Sequence, residues 1–271
     1  MTRTMIPAAA GLAAALAAPV AGAQGIDPSQ LVQGTLRPGW QAEDGTQIAA
    51  LDLTLTPGWK TYWRAPGEAG IPPTFDWTGS TNLDTVRLRW PTPSVFYTSG
   101  MRSIGYHDGL LLPIEVVPVD PAQPVRLQLR VDMGICLDIC VPASVAMAGE
   151  LAGPGAPEPG IAAALADQPM DPSAAGLTRI GCAAEAIADG WRLTATLDMP
   201  PLGPDETVAV EVDQPDVWVS EAEAVRDGAT LTAVADVVPI DLEGFTLDRA
   251  ALRVTVIGDG TAMEAEGCPA P

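Results

Sequence analysis

Basic residues are scarce in this chain, which has 14 lysine and arginine residues against 34 aspartate and glutamate residues and a net charge of −20 at pH 7. Nucleic acids and anionic membrane surfaces attract basic proteins and repel acidic ones. We therefore expect neither as a partner. The acidity is also uneven, because residues 24–150 have a net charge of −5 and residues 171–271 a net charge of −14. Such a difference favours a domain boundary between the two regions.

Histidine is almost absent, since His107 is the only one. A Ser/His/Asp hydrolase would have to use this residue, and no nucleophile elbow lies near it. The chain also lacks a glycine-rich phosphate-binding loop. The sequence therefore indicates neither a hydrolase nor a nucleotide-binding enzyme, and we predict no cofactor and no resident metal.

Long apolar runs are confined to the start of the chain. Arg3 precedes an apolar run at residues 6–18, and Ala21-Gly22-Ala23 follows it. These are the parts of a secretory signal peptide, which we place at residues 1–23 with cleavage after Ala23. No later stretch approaches the ~18 consecutive apolar residues of a spanning helix. We expect an exported protein without a membrane span, in a compartment where disulfides persist.

The remaining sequence has the pattern of an all-β protein. Apolar and polar residues alternate from Val125 to Val131, and Asp-Gly pairs, which favour turns, separate several such runs. We expect Asp108-Gly109 to form a hairpin turn and the last strand of the first domain to begin at Val145, after Pro142. Residues 153–160 are rich in proline and glycine, as linkers are. The sequence predicts two immunoglobulin-like β-sandwich domains, at residues 24–152 and 176–271. A linker at residues 153–175 joins them and holds a short helix near residues 161–167.

Aromatic residues cluster at two places. Trp59, Tyr62 and Trp63 could stack on sugars, but filling the core of a sandwich is the simpler interpretation. Phe96 and Tyr97 follow two prolines in a segment that we predict to be an irregular loop. Large apolar side chains on a loop either pack against the domain or bind a partner.

Four cysteines allow three disulfide pairings. Pairing within each predicted domain joins Cys182 to Cys268 and Cys136 to Cys140. The first bond would close almost the entire second domain and stabilise it by about 4–5 kcal/mol, whereas the second closes a tiny loop and contributes only about 2 kcal/mol. We therefore interpret Cys182–Cys268 as a structural disulfide and Cys136 and Cys140 as a pair suited to thiol-disulfide exchange.

The inner cysteine pair can bond only if the chain turns between its members. Cys136 and Cys140 would lie about 13 Å apart in an extended chain, well beyond the roughly 4.4–6.8 Å Cα separation of a disulfide. Gly134 and Pro142 favour a compact turn between two extended segments. Asp138, between the cysteines, would raise their pKa values, so we expect a pair that rests as a disulfide until a partner reduces it.

Two other interpretations of the inner pair remain open. Cys136 and Cys140 could bind Cu(I) together with Met101 or Met133, as soft sulfur ligands do. The pair could also form an inert disulfide in a structural or adhesive β-sandwich protein. Its reduction potential would distinguish the inert disulfide from an exchangeable one.

Several sequence features occur in the same order as in a known family. Four features follow one another in the sequence, namely the segment from Gly58 to Gly67, then Phe96-Tyr97, then Leu112-Pro113-Ile114, and then Cys136 and Cys140 followed by Val141-Pro142. Together they resemble the periplasmic N-terminal domain of the DsbD and ScsB thiol-disulfide reductases. The resemblance covers about residues 30–151. It implies an immunoglobulin-like β-sandwich that acts as a periplasmic thiol-disulfide oxidoreductase of the electron-relay type.

The resemblance also implies roles for particular residues. Cys136 and Cys140 would be the redox pair, Phe96 with Tyr97 the cap that shields it, and Cys140 the cysteine that forms a mixed disulfide. The expected partners are a membrane-embedded electron carrier of the DsbD or CcdA type and periplasmic thioredoxin-like or disulfide-containing proteins.

The sequence departs from the best-known members in three respects. Its cysteines are separated by three residues instead of five, which is closer to the ScsB-like branch. Ser94 and Val95 stand where DsbD has acidic residues before the cap, so the resemblance does not extend to a carboxylate-assisted mechanism. No electron carrier or thioredoxin-like domain follows, so we expect electrons to arrive from a separate protein.

Overall fold

The structure is a computed structural model that describes residues 27–68, 70–98, 100–242 and 244–271. The predicted signal peptide, residues 1–23, lies outside the described residues. The described residues form an all-β protein with two β-sandwiches, as the sequence predicts. Within them, no helix is both long enough and apolar enough to cross a membrane.

The first sandwich consists of ten strands in two antiparallel sheets. One sheet has the order β1-β2-β8-β5, and the other has the order β10-β9-β3-β7-β6 with β4 paired to β9. The strands are β1 (Val32–Gln41), β2 (Gln47–Leu55), β3 (Lys60–Gly67), β4 (Thr74–Asp76), β5 (Leu83–Leu88), β6 (Ser94–Thr98), β7 (Met101–His107), β8 (Gly109–Pro118), β9 (Val125–Cys136) and β10 (Cys140–Leu151).

The core of the first sandwich lies between these two sheets. The predicted alternation along β9 is observed, because Val125, Leu127, Leu129 and Val131 are buried while the residues between them face outward. Trp59 and Trp63 also lie in this core, as predicted for the aromatic cluster. Trp63 is fully buried, and burial of side chains of this size dominates the energetics of such a core.

Two local predictions about proline and aspartate are wrong. Pro142 does not delay the last strand, because β10 is at the edge of its sheet, where a missing N–H leaves no ladder bond unmade. The Asp108-Gly109 pair is not a hairpin turn, because β7 and β8 belong to different sheets. Asp108 instead has a positive φ of 61° and accepts a hydrogen bond from the Gly58 N–H at the point where the chain changes sheets.

The short helix α1 (Pro159–Ala166) packs on the first sandwich. The Glu158 carboxylate caps it by accepting a hydrogen bond from the Ile161 N–H at 2.7 Å, and this bond is the main cause of the lowered pKa of Glu158. Ile161 is fully buried against Ile48 and Ala50. Part of the predicted linker is therefore fixed to a sheet.

The second sandwich has a sheet with the order β11-β12-β16-β14, with β15 paired to β16, and a three-stranded sheet with the order β13-β17-β18. A buried disulfide joins Cys182 at its start to Cys268 at its end. The strands are β11 (Arg179–Ile187), β12 (Gly190–Asp198), β13 (Thr207–Val212), β14 (Val217–Val219), β15 (Glu223–Asp227), β16 (Thr230–Pro239), β17 (Leu252–Gly258) and β18 (Thr261–Glu266).

The two sandwiches contact each other through arginines of the first and carboxylates of the second. The Arg64 guanidinium on β3 pairs with Glu211 at 2.9 Å and also with Glu264. Arg102 on β7 pairs with Glu221 at 3.3 Å. Ala209, Ile257 and Ala262 of the second sandwich also join the core cluster of the first. The contact therefore rests on β3 and β7, two strands that also bear on the cysteine pair.

Candidate functional site

The inner cysteines form a disulfide at the tip of the β9–β10 hairpin. β9 ends at Cys136 and β10 begins at Cys140, so residues 137–139 make the turn. The two cysteines are direct register partners, and their Cα atoms are 4.1 Å apart. Cys136 is only 2% exposed, whereas Cys140 is exposed. A reacting thiolate would therefore reach the Cys140 sulfur more readily than that of Cys136.

Tyr62 on β3 contacts both sulfurs. Its hydroxyl oxygen lies 2.7 Å from Cys136 Sγ and 3.1 Å from Cys140 Sγ. Since neither disulfide sulfur carries a proton, the hydroxyl is the donor. Burial raises the pKa of Tyr62, and the nearby Ser103 hydroxyl partly offsets this effect. The hydroxyl therefore keeps its proton at neutral pH and can stabilise negative charge that develops on Cys136.

Phe96 on β6 covers this arrangement. Phe96, Tyr62 and Cys136 form a separate small apolar cluster in which Phe96 is 8% exposed. The Phe96 ring centroid lies 6.3 Å from that of Tyr62 and meets the His107 ring edge-on at 5.0 Å. The Phe96 ring and Cys136 are therefore buried in the same cluster.

The segment that carries Phe96 is a strand, contrary to the irregular loop predicted. Residues 94–98 pair with β7 despite the prolines before them, because those prolines precede the strand and leave its ladder intact. Alternation then places neighbouring side chains on opposite faces, so Phe96 is buried and Tyr97 is 67% exposed. Tyr97 does not belong to the cluster that covers Cys136.

Lys60, the first residue of β3, completes the site. It is the register partner of Cys136 on β9 and of His107 on β7. Its Nζ lies 5.1 Å from the centroid of the Phe96 ring, within the range of a cation–π interaction. In the sequence, Asp138 is the charged residue close to the cysteines, and it would raise their pKa values. Lys60 becomes a neighbour of Cys136 only through the pairing of β3 with β9.

An apolar rim lies beside the β9–β10 hairpin that carries the inner disulfide. Ile71, Leu137 and Ile139 are large apolar side chains with substantial exposure, and Gly134 packs against Ile71 next to Tyr62. Exposed apolar residues around a reactive group are typical of a surface that binds another protein. The rim could therefore receive a partner that reaches Cys140.

The methionines considered for copper lie elsewhere. Met133 is buried in the main core, whereas Cys136 belongs to the separate cluster with Tyr62 and Phe96. Met101 is partly exposed at the start of β7 and is not in that cluster either. In the part of the chain that the structure describes, no three or more His, Cys, Asp or Glu residues form a potential metal-binding group.

Sequence reasoning missed Tyr62 and Lys60 as site residues. The sequence predicts that the aromatic residues of this strand fill the core, and the flanking Trp59 and Trp63 lie there. The available signal was the alternation of β3, since Lys60 and Tyr62 are two residues apart and share the face opposite to Trp63. Only the pairing of β3 with β9 shows that this face meets the cysteines.

Part of the chain is similar to a known family, and its fold is similar to that of a solved structure. Residues 31–151 match the family described as the N-terminal domain of the thiol:disulfide interchange protein DsbD. No curated protein sequence matches the chain. Among solved structures, the N-terminal periplasmic domain of ScsB from Proteus mirabilis superimposes with a TM-score of 0.60 at 22% sequence identity.

The superposition covers 88% of this chain and 92% of the ScsB domain, so the likeness in fold extends over both sandwiches. At this identity it shows a common fold and no more. The family match is narrower and covers only the sandwich that carries the Cys136–Cys140 disulfide. Residues 31–151 are therefore similar to the N-terminal domain of the thiol:disulfide interchange protein DsbD, and the fold of the chain is that of the ScsB domain.

Proposed function

We propose that the first sandwich relays electrons through Cys136 and Cys140 in the periplasm. It receives two electrons from a membrane-embedded carrier of the DsbD or CcdA type and passes them to periplasmic thioredoxin-like or disulfide-containing proteins. Export through residues 1–23 brings the chain to that compartment. The observation that carries this proposal is the asymmetric disulfide, with Cys140 exposed and Cys136 buried against a phenolic hydroxyl.

The exchange reaction follows from this asymmetry. A thiolate of the reduced carrier attacks Cys140 Sγ, which forms an intermolecular disulfide and breaks the Cys136–Cys140 bond. Cys136 leaves as a thiolate, and the Tyr62 hydroxyl donates to it. A second carrier thiolate then attacks the carrier sulfur of the mixed disulfide and releases Cys140 as a thiolate. The carrier is oxidised and this domain is reduced by two electrons, and the same steps in reverse reduce an acceptor disulfide.

Phe96 acts as the cap in this proposal. Its ring contacts the apolar cluster around Cys136 and limits contact with solvent and with small thiols. A protein partner that binds the rim of Ile71, Leu137 and Ile139 can displace the ring and reach the sulfurs. The cap thus restricts exchange to partners that fit the rim.

The reduction potential of the Cys136–Cys140 bond tests the proposal directly. We expect equilibration with dithiothreitol to give a reduction potential of about −200 mV, as for exchangeable disulfides. A value below about −300 mV would indicate an inert structural bond. The Cys182–Cys268 disulfide is an internal comparison, because it is buried and should resist reduction in the folded protein. Alkylation of released thiols followed by mass spectrometry assigns each bond separately.

A pair of single-cysteine variants tests which sulfur reacts. Cys136→Ser leaves Cys140 as the free thiol, and Cys140→Ser leaves Cys136. Incubated with oxidised glutathione, the Cys136→Ser protein should form the mixed disulfide at least about tenfold faster, because Cys140 is exposed. A faster reaction of the Cys140→Ser protein would assign the roles the other way round.

A further inference from the structure

Lys60 is the only lysine in the sequence. Of the arginines that the structure describes, all but one pair with a carboxylate, and Arg249 donates instead to the carbonyl oxygen of Cys182. Within the same described residues, Lys60 has no carboxylate within salt-bridge distance. In a chain with a net charge of −20, an ammonium group without a carboxylate partner is unusual.

Lys60 lies on the same face of its sheet as Cys136. Lys60 lies directly across from Cys136, and side chains of register partners project from the same face with Cβ atoms about 4.5–5.5 Å apart. Its Nζ is over the Phe96 ring, which itself packs against Cys136. The position of the charge is therefore set by the pairing of Lys60 with Cys136 and by the Phe96 ring.

We propose that Lys60 supplies the positive charge that stabilises the Cys136 thiolate when the disulfide opens. The inference rests on the proposed function and assigns to this exchange site a residue that the reaction uses. The disulfide is neutral, so the ammonium group has no counter-charge at the site until reduction creates one. The Phe96 ring excludes water from the same cluster, and attraction between opposite charges is stronger where water is excluded.

The other polar groups around Cys136 are few. Tyr62 on β3 donates to the sulfur, His107 on β7 is the second register partner of Lys60, and Asp138 in the turn carries the nearest negative charge in sequence. Asp138 is exposed, so its effect on the thiol is screened by solvent. A lower pKa makes Cys136 a better leaving group, which accelerates attack on Cys140.

The first test measures the Cys136 thiol alone. In a Cys140→Ser background, the rate of alkylation by iodoacetamide as a function of pH gives the pKa of this thiol, with the Cys182–Cys268 bond intact. We expect Lys60→Met to raise the Cys136 pKa by about one unit and Lys60→Arg to restore most of the difference. Arg126→Met, which removes one positive charge from the far end of β9, is the control and should cause no shift.

An unchanged pKa in the Lys60→Met protein, or a Lys60→Arg protein whose Cys136 pKa matches that of the Lys60→Met protein, would overturn the proposal. A second measurement uses the intact cysteine pair, where Lys60→Met should slow reduction by dithiothreitol about tenfold. If Lys60 only held Phe96 in place, its removal would instead expose the disulfide and speed reduction. Resistance of the wild-type bond to dithiothreitol would refute the proposed function, whereas the thiol titration would still give a result for Lys60.

Discussion

Tyr62 brings one hydroxyl group within hydrogen-bond distance of both sulfurs of the exchange pair. Hydrogen bonds to a charged acceptor contribute roughly 1.5–3 kcal/mol, more than those to a neutral one. The hydrogen bond from this hydroxyl therefore stabilises the departing Cys136 thiolate more than it stabilises the neutral disulfide. This difference between the two states is the kind of interaction that accelerates a reaction.

Replacing Tyr62 with phenylalanine should slow reduction of the inner disulfide by dithiothreitol about tenfold, because the thiolate loses its donor. The rate can be followed by alkylation of the released thiols. Tyr106→Phe is a matched control, since the Tyr106 hydroxyl is also buried but donates to the Pro91 carbonyl at 2.8 Å, away from the cysteines. An equal loss of rate in both variants would mean that the effect is structural.

Phe96→Ala should increase the rate of reduction by small thiols at least about fivefold, because it removes the ring that covers Cys136. It should also lower the free energy of unfolding by about 3 kcal/mol, since a buried ring is lost. Tyr97→Ala is the control, and its exposed side chain predicts no change in either quantity. A change in rate caused by Tyr97→Ala alone would transfer the cap role to Tyr97.

Strands β7 and β9 carry glycine where they flank Tyr62, namely Gly105 and Gly134. A Cβ atom at Gly105 would lie 2.1 Å from the Thr61 carbonyl oxygen, so only glycine lets β3 approach β7 at this point. A Cβ atom at Gly134 would lie 2.7 Å from Ile71 Cβ and 3.2 Å from the Tyr62 ring. Gly105 thus lets the backbones of β3 and β7 approach, and Gly134 makes room for the Tyr62 ring on the face of the sheet.

Gly134→Ala should displace the Tyr62 ring and so reproduce the slow reduction of Tyr62→Phe. The double variant Gly134→Ala/Tyr62→Phe should be no slower than Tyr62→Phe alone, because both changes remove the same contact. Additive losses in the dithiothreitol assay would show that Gly134 acts on the site by another route.

What the sequence predicts well are features set by nearby residues. The alternation from Val125 to Val131 and the position of α1 depend on local patterns, and both are observed. The turn between Cys136 and Cys140 follows from chain geometry. The strand character of residues 94–98 and of Pro142 was missed, because each depends on which strand lies beside it. Lys60 and Tyr62 escaped for the same reason, since 74 positions separate Tyr62 from Cys136.

The acidic second sandwich contacts β3, the strand that carries Tyr62 and Lys60. Arg64 is two residues from Tyr62 on β3, its side chain is 18% exposed, and its guanidinium lies 4.2 Å from the Trp63 ring centroid. Glu211 and Glu264 of the second sandwich hold it. We propose that the second sandwich steadies β3, which carries both Lys60 and Tyr62.

Arg64→Met should lower the free energy of unfolding by about 3 kcal/mol, because it leaves two partly buried carboxylates without a cation. The triple variant Arg64→Met/Glu211→Gln/Glu264→Gln should recover much of this loss, as measured by urea unfolding. Arg126→Met is the control, because the Arg126–Glu150 pair is exposed and should contribute less than about 1 kcal/mol. Equal losses in the two single variants would show that Arg64 has no special role at the contact.

The hairpin that carries the inner disulfide does not depend on the bond between the two sulfurs. The β9–β10 ladder continues from the Cys136 and Cys140 partners to Val125 and Leu151 without interruption. Cutting the sulfur–sulfur bond leaves that ladder in place, so the two thiols remain adjacent at an effective molarity far above that of any dissolved thiol. In the proposed relay, an acceptor that has joined Cys140 would be released by Cys136 before the complex could separate. Electrons would then leave in pairs, and we expect stable mixed disulfides with acceptors only in the Cys136→Ser protein.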